Sequence, residues 1–448
     1  MIDENSFRLF SKYIKDENKI KSETYKEYGI KHGLRNEDGT GVLVGITHIA
    51  EVVGYDLVYG IRVPKEGELY YRGINVNELV EGFEKEDRFG FEETVYLLLF
   101  NKLPNIHELE SFNNILNAYH EFPDNYIEDV ILKMPSSNVM NKLQRAFLTM
   151  YSYDDNPDDI SVKNVLSQSM SLIAKAPIVV VYSYYSMLHA YHEESLILHK
   201  PNPKFSVAEN ILHMLRADCH FTKSEAKLLD LLLIVQAEHG GGNNSTFATH
   251  VVSSTGTDTY SALSTAVGSL KGSKHGGANL KVSEMLHDIR ENVENYWEKE
   301  ALEVYLQKIL DKKVFDKKGL IYGLGHAVYT KSDARVSIIK RKVVEIAKEK
   351  SREKELQLIL NLEEIGGKLV QDDKGLSYQP GGNIDLYSSF VMETLNIPKE
   401  LYTPIFAIAR MAGWSAHRLE QILDTKIMRP AYVTIGAKKS YTPFNERK

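Results

Sequence analysis

The chain has 448 residues, about three times the ~150 residues usual for one domain, so it predicts two domains or one large domain with a smaller insertion. Apolar residues make up 43% and charged residues 26%, which is ordinary globular usage and excludes fibrous and largely disordered classes. Sixty-one acidic and 54 basic side chains give a formal net charge of −7, the wrong sign for a chain that wraps nucleic acid or an anionic membrane.

Cysteine usage and the N-terminal residues indicate the compartment. Cys219 is the single cysteine, which excludes a disulfide framework and any metal site built from several cysteines. We expect Cys219 to be a small buried hydrophobic residue. The first ten residues carry Asp3 and Glu4 and no apolar run, which is typical of neither a secretory signal nor a transit peptide. These features predict a cytoplasmic protein.

Helical spacing dominates the chain, and strand signals are confined to its early part. Residues 41–57 and 67–73 carry β-branched and aromatic side chains between glycines, which predicts a small sheet. Residues 170–191 are strongly apolar, but a lysine, a proline and a histidine interrupt them, so we expect a buried helix rather than a membrane span. The predicted class is mainly α.

Three later segments have clear helix signals. Asn279 is the predicted N-cap of one amphipathic helix. Residues 336–369 are rich in Lys and Glu, which favours a charged, exposed helix on a smaller subdomain. Residues 403–423 predict a helix with Thr403 as cap and Pro404 in its first turn.

That last helix has a second stripe opposite its apolar face, too mixed in character for a solvated surface, which indicates recognition or subunit packing. Its members are Arg410, Trp414, His417 and Gln421.

Three histidines lie beside glycines: His239, His275 and His326. Glycine lets backbone or a ligand approach closely, so these histidines are the candidates for chemistry. His275 lies just before a predicted helix N-terminus, which favours a neutral ring that donates one hydrogen bond and can stabilise an enolate oxygen. A zinc site is the alternative, but no His-Glu-x-x-His spacing supports it.

Asp385 follows a Pro-Gly-Gly turn and is the candidate base. An ordinary aspartate, with a pKa of ~3.9, is too weak to take a proton from carbon unless an opposing donor such as His275 stabilises the oxyanion. Arg335, Arg410 and Arg429 lie among small or apolar residues. Each could form a structural ion pair, but together they suggest a substrate with several carboxylates.

Six segments resemble the citrate synthase family in order and interval: HGGGNNST, GSKHGGAN, YGLGHAVYTKSDAR, NIDLYSS, TPIFAIARMAGW and MRPAY. The likeness runs from about Gly33 to Pro430. It implies an almost entirely helical homodimer whose subunits close over the substrates. The large domain would comprise residues 1–275 and 390–448, and the small domain residues 276–389.

The resemblance also implies a reaction between acetyl-CoA and oxaloacetate, followed by hydrolysis of citryl-CoA, with no metal or redox cofactor. Asp385 would take a methyl proton from acetyl-CoA, and neutral His275 would donate to the enol oxygen. His326 would donate to the oxaloacetate carbonyl. The residues implied to hold oxaloacetate are His239, Asn243, Arg335, Arg410 and, from the other subunit, Arg429.

The CoA contacts implied by the resemblance are the turn formed by Gly323, Leu324 and Gly325, together with Lys374. Thr330 stands where some relatives place a basic residue that contacts a CoA phosphate. Two other functions stay open: a 2-methylcitrate synthase that uses propionyl-CoA, since one methylene changes binding by only ~1–3 kcal/mol, and a non-catalytic CoA-binding homologue.

Overall fold

The computed structural model describes residues 4–447, except for the side chains of residues 16–18. The chain separates into two units, one formed by Met1–Val44 with Met428–Lys448 and the other by Gly45–Ile427. The first unit contains helices α1 (Glu4–Asn18) and α2 (Ser22–Glu27). Arg429 belongs to this unit and is exposed.

The second unit begins with a three-stranded antiparallel sheet. Its strands are β1 (Ala50–Val58), β2 (Ile61–Tyr71) and β3 (Ile74–Asn75), in the spatial order β1-β2-β3. A bulge interrupts the pairing of β1 with β2 between Val53 and Tyr55. The small sheet expected near the N-terminus is therefore confirmed.

Helices build the rest of the second unit. In chain order they are α3 (Val76–Lys85), α4 (Phe91–Phe100), α5 (Ile106–Ala118), α6 (Val139–Met150), α7 (Val162–His192), α8 (Val207–Leu215), α9 (Lys223–Gln236), α10 (Asn244–Ser253), α11 (Thr259–Lys271), α12 (Ala278–Asn292), α13 (Lys299–Leu310), α14 (Ala334–Glu349), α15 (Glu353–Asn361), α16 (Gly367–Lys374), α17 (Ile384–Thr394) and α18 (Tyr402–Gln421). The mainly α class is confirmed.

Helices α7 and α18 form the centre of the core. Among the described residues α7 is the one helix long and apolar enough to cross a membrane, yet 83% of its most apolar window is buried inside the protein. This matches the predicted buried helix. Helix α18 packs against α4, α7, α9, α10 and α11, so its polar stripe faces neighbours from its own chain.

Two predicted helix starts were wrong. Helix α12 begins at Ala278 with no side-chain cap, because Asn279 is turned into the core instead of capping. Helix α18 begins at Tyr402, because the Thr403 hydroxyl donates to the carbonyl of Gly276 at 3.0 Å rather than to its own helix end.

Two further expectations about burial and continuity also fail. Cys219 is half-exposed because it lies in a turn with a positive φ of 60°. The single charged helix expected over residues 336–369 is broken into α14 and later helices at Ser351, which has a φ of 54°. One face of α14 is also buried rather than solvated.

Glu225 ties α9 to the end of α14. Its carboxylate contacts Arg216 at 2.7 Å and Lys350 at 2.8 Å, and it completes a capping box with Thr222. Burial alone would raise the pKa of Glu225, but the hydrogen bonds from Arg216 and Lys350 outweigh it and lower the pKa to about 2. A lowered carboxylate pKa contributes stability above the unfolded-state value and loses it as the pH falls.

We expect Glu225→Gln to lower the free energy of unfolding by roughly 2–3 kcal/mol at pH 7, because hydrogen bonds between charged partners are lost. The difference from the wild type should shrink as the pH falls from 4.5 towards about 2, where Glu225 itself becomes protonated. Urea denaturation across this pH range measures both effects. Glu303→Gln, on the exposed side of α13, is the matched control; an equal loss in both variants would contradict the assignment.

Candidate active site

His239 and His326 lie together in a small aromatic cluster. Their ring centroids are 5.0 Å apart, and the ring of Tyr329 is 5.4 Å from His239 and 4.8 Å from His326. His239 follows the end of α9, whereas His326 lies in the loop that leads into α14. The fold therefore brings together two of the three histidines singled out by their glycines.

The protonation of the His326 ring follows from its backbone contacts. Its Nδ1 accepts the N–H groups of Val328 at 3.0 Å and Tyr329 at 3.3 Å. A nitrogen that accepts hydrogen bonds carries no proton, so a neutral His326 ring holds its proton on Nε2. That atom is the donor that His326 can offer.

His239 is held neutral. Burial lowers the pKa of its imidazole well below the usual value, and the positive charges of Arg335 and Arg410 act in the same direction. Its Nε2 is buried without a hydrogen-bond partner among the described residues. A buried polar atom of this kind is expected to meet a ligand or a water molecule.

Arg335 already has a partner. Its Nε and Nη2 contact the two carboxylate oxygens of Asp333 at 2.9 and 2.6 Å, a planar fork that is buried in the protein. Asp333 also caps α14 and accepts the N–H of Ile384 at 3.2 Å, at the start of α17. The structural ion pair considered for this arginine is therefore present, and it joins two helices at the site.

Arg410 differs, because most of its donors are unused. The guanidinium is fully buried on α18, and its Nε donates to the carbonyl of Gln236 at 2.7 Å. Neither Nη1 nor Nη2 has a hydrogen-bond partner among the described residues. Burial lowers the pKa of Arg410 to about 10. The two adjacent unpartnered nitrogens of a buried guanidinium fit a planar carboxylate.

Asp385 is the second residue of α17, where Asn383 caps the helix by accepting its N–H at 3.0 Å. Burial raises the pKa of Asp385 to about 6; the charge of Arg335 opposes this shift and that of Asp333 adds to it. A carboxylate with a raised pKa is a stronger base, and such shifts are typical of catalytic groups.

His275 contacts a shared hydroxyl. Its Nε2 lies 3.2 Å from Ser245 Oγ, which accepts the Trp414 indole N–H at 3.1 Å and lies 2.8 Å from Asn243 Oδ1. Burial, with Arg410 acting in the same direction, lowers the pKa of His275 to about 4, so the predicted neutral ring is supported. Burial is the main cause, whereas the sequence suggested the helix end.

The single proton of the Ser245 hydroxyl selects the tautomer of His275. If it points to His275 Nε2, then Nδ1 holds the ring proton and is a donor; if it points to Asn243, then His275 donates from Nε2 to the serine. Asn243, expected in the oxaloacetate pocket, is the N-cap of α10 in this structure.

A buried chain of polar residues behind His239 was missed in the sequence. His417 Nε2 contacts Glu238 Oε1 at 3.1 Å, His417 Nδ1 contacts His250 Nε2 at 2.9 Å, and His250 Nδ1 contacts Gln421 Oε1 at 2.8 Å. His250 and His417, with Glu420, bring three possible metal ligands within 4.8 Å of one another. The two rings, however, are already at hydrogen-bond distance, which favours a hydrogen-bond chain.

The signal that could have found this chain was the mixed stripe on α18. Arg410, Trp414 and His417 from that stripe each contact the site, and Gln421 closes the chain behind it. Their partners lie more than 160 residues away in sequence, so spacing alone could not name them.

The candidate CoA turn is tied to the start of α17. Gly323 and Gly325 have positive φ values of 87° and 73°, the Gly323 carbonyl accepts the Asn383 N–H at 2.9 Å, and the Gly325 N–H donates to Gly381 at 3.0 Å. Leu324 pairs with Gly382 between them. These contacts hold the turn close to Asp385.

Lys374, the other CoA candidate, ends α16 and is exposed. Two lysines that were not predicted to bind CoA, Lys331 and Lys340, line a cavity of about 390 Å³ beside Gly381. Glu363 and Glu364 line the same cavity, and Lys340 is paired with Glu363 at 2.9 Å, so the cavity carries no excess of positive charge. Thr330 is buried and contacts the sheet, so it occupies no surface that a CoA phosphate could reach. Arg429 belongs to the other unit of the chain, and its role stays a prediction.

Comparisons with known proteins identify the family of the chain. The family model described as "Citrate synthase, C-terminal domain" matches residues 38–431. A citrate synthase from Synechocystis is 34% identical over 85% of this chain and 89% of its own, and 2-methylcitrate synthase 1 from Corynebacterium glutamicum is 30% identical over 91% and 97%. The crystal structure of citrate synthase from Pyrobaculum aerophilum superimposes with a TM-score of 0.73 at 28% identity, covering 93% and 95% of the two chains.

The fold and these matches define an acyltransferase. The chain belongs to the citrate synthase family.

We expect Ser245→Ala to lower the free energy of unfolding by about 1–3 kcal/mol, because it leaves the buried Trp414 N–H without its acceptor. In a Trp414→Phe background the same substitution should cost clearly less, since that donor is gone. Urea denaturation of the four proteins in this double-mutant cycle measures the coupling. Equal costs in both backgrounds would show that the indole does not hold the hydroxyl.

Proposed function

We propose that this enzyme condenses acetyl-CoA with oxaloacetate and hydrolyses the resulting citryl-CoA to citrate and CoA. The observation that carries the proposal is the buried Arg410, whose Nη1 and Nη2 have no partner among the described residues. A buried guanidinium with two unbonded nitrogens is costly, and a substrate carboxylate would satisfy both of them. Neutral His239, with its own unpartnered Nε2, supports the same pocket.

Oxaloacetate presents two carboxylates and a ketone to this pocket. Arg410 binds one carboxylate through its Nη1 and Nη2 groups, and His239 contacts the substrate through its unpartnered Nε2. Arg335 binds oxaloacetate while its guanidinium stays paired with Asp333, and this pair fixes the direction of the guanidinium. Asn243 orders the loop after His239 through its cap on α10. Arg429 would come from the partner subunit.

The carbon–carbon bond forms between two activated groups. Asp385 removes a proton from the methyl group of acetyl-CoA, and His275 donates from Nδ1 to the thioester oxygen as the enol forms. This requires the Ser245 hydroxyl, which donates to Asn243 Oδ1 at 2.8 Å in this structure, to turn to Nε2 of His275. The enol carbon attacks the ketone carbon of oxaloacetate while His326 donates its Nε2 proton to the ketone oxygen. Water then cleaves the thioester. No step changes an oxidation state, so the reaction balances without a redox cofactor.

The division into two domains, the oligomeric state and the compartment are part of the same proposal. The large domain comprises residues 1–275 and 390–448 and the small domain residues 276–389, and two copies form a homodimer in the cytoplasm. Gly323, Leu324 and Gly325 contact CoA near the start of α17, and Lys374 contacts its phosphates. The positive charge of Lys374 suits a phosphate group.

The second candidate is a 2-methylcitrate synthase that takes propionyl-CoA. The Corynebacterium relative of that name, at 30% identity over 91% of this chain, favours it. One added methylene alters binding by only about 1–3 kcal/mol, so the shape of the pocket around the acyl group decides between the two substrates.

The first test is release of the CoA thiol from acetyl-CoA and from propionyl-CoA, with and without oxaloacetate, with the acid product identified. We expect oxaloacetate-dependent release that favours acetyl-CoA. A preference for propionyl-CoA would establish the second candidate, and no release from either would contradict both and favour a non-catalytic CoA-binding homologue.

Asp385→Asn should reduce CoA release by at least ~100-fold, because the base is lost, while oxaloacetate still raises the melting temperature. In the wild type, kcat/KM should fall as the pH drops through about 6, since the base must be ionised and its pKa is raised to that value. Undiminished turnover in the variant would remove Asp385 from the mechanism.

The shared site can be tested with hybrids of two inactive variants. In a dimer of one Arg410→Ala and one Arg429→Ala subunit, one of the two sites keeps both arginines if Arg429 acts across the interface. Random mixing should then restore about a quarter of wild-type activity. Isotope-labelled mixing verified by mass spectrometry is the control, and no recovery in verified hybrids would contradict the partner's contribution.

A further inference from the structure

The β1–β2 pair opens where it meets the His326 loop. Its register passes from Val53 opposite Glu68 to Tyr55 opposite Pro64, so Gly54 and residues 65–67 have no cross-strand partners. Backbone N–H and C=O groups in a strand require partners, and unpaired ones are costly when buried. Something other than the neighbouring strand must therefore satisfy this stretch.

Two hydroxyls of the His326 loop fill the opening. The Thr330 hydroxyl accepts the Lys65 N–H at 3.1 Å, donates to the Gly54 carbonyl, and has the Lys65 carbonyl 3.1 Å away. The Ser332 hydroxyl accepts the Gly67 N–H at 3.2 Å. A segment four to six residues beyond His326 thus takes the place of the missing strand pairing.

The backbones approach too closely for any side chain at the two strand glycines. A Cβ on Gly54 would lie 2.5 Å from the Val328 carbonyl oxygen and 2.6 Å from Tyr329 Cα. A Cβ on Gly67 would lie 2.7 Å from the Tyr329 ring and 2.9 Å from the N–H of Ala334. The N–H groups of Val328 and Tyr329 donate to His326 Nδ1. The sheet therefore packs directly against the two residues that hold this ring.

The same sheet also reaches the His239 loop. The Tyr71 hydroxyl donates to the Ile234 carbonyl at 3.0 Å and lies 3.1 Å from the Glu238 carbonyl, and Val52 packs against Gly240. Arg62 adds a further contact to the other loop, donating to the Val328 carbonyl at 3.0 Å. One rigid sheet therefore spans the loops that carry both histidines.

We propose that the β1–β2 pair is a positioning element of the active site and that Thr330 is its main positioning residue, acting on His326 through Val328 and Tyr329. Thr330 touches no substrate in this proposal. The inference rests on the proposed role of His326 as donor to the ketone, and it adds to that role the reason why the ring is correctly placed.

Thr330→Val and Thr330→Ser test the hydroxyl. The valine variant keeps the shape and loses the hydroxyl, and the serine variant restores it. We expect Thr330→Val to lower kcat for condensation at least tenfold, with the KM for acetyl-CoA within about threefold, because a small displacement of a reacting group is costly. Thr330→Ser should stay within about threefold of the wild type. Thr255→Val is the control, since that exposed hydroxyl bonds only within its own helical turn.

Hydrogen exchange of the wild-type and variant enzymes gives a readout independent of turnover. We expect faster exchange of the Val328 and Tyr329 amides in Thr330→Val and unchanged exchange in Thr330→Ser. Equal kcat in wild type and Thr330→Val, equal losses in both Thr330 variants, or unchanged exchange in Thr330→Val would each overturn the proposal.

Arg62→Gln covers the case in which Thr330→Val does not fold. It removes one contact to the Val328 carbonyl and introduces no bulk, so we expect a smaller loss of kcat together with faster exchange at Val328. Wild-type exchange at Val328 in this variant would count against the proposal. If the wild type releases no CoA, the proposed function has failed, and the exchange experiment still decides whether the sheet fixes the His326 loop.

Discussion

The guanidinium of Arg410 is a positive charge buried at the centre of the helical unit. The guanidinium is buried because neighbouring helices enclose α18, and the carboxylate of Glu238 is the negative charge that favours its charged form. Gly413 makes room for this arrangement, because a Cβ there would collide with the carboxylate of Glu238. Glu238 in turn is held by His417. The site is thus built around a charge that the protein compensates only in part.

The positive charge of Arg410 also affects the protonation of the neighbouring histidines. Burial and the charges of Arg335 and Arg410 keep His239 neutral, and burial with Arg410 keeps His275 neutral. Neutral imidazoles donate hydrogen bonds without adding charge, which suits a pocket that already holds two arginines. Burial raises the pKa of Asp385, which suits its proposed role as the base. A dianionic substrate is the natural complement to such a set.

Local sequence pattern predicted some of the candidate site residues and helix ends but not others. Asp385 and His275 were predicted because each stands beside a glycine turn at a helix start, and such signals are encoded within a few residues. The ion pair between Arg335 and Asp333 could have been predicted from the sequence, since an aspartate just before a helix is also typical of an N-cap.

The contacts of Thr330 and His417 could not be predicted, because their partners are brought near only by the tertiary fold. Asn279 and Thr403 misled because each side chain found a tertiary environment in place of its own helix end.

The contact between Trp414 and Ser245 has an optical consequence. The chain contains two tryptophans, Trp297 and Trp414, and Trp414 is completely buried with its indole N–H on the hydroxyl that also contacts His275. Indole emission responds to the polarity and hydrogen bonding around the ring. Trp297 lies in the 276–389 segment, with the Lys354 ammonium 3.9 Å from its ring centroid. The native enzyme therefore carries, without any label, one fluorophore beside a residue of the proposed site, and Trp297 can serve as an internal reference.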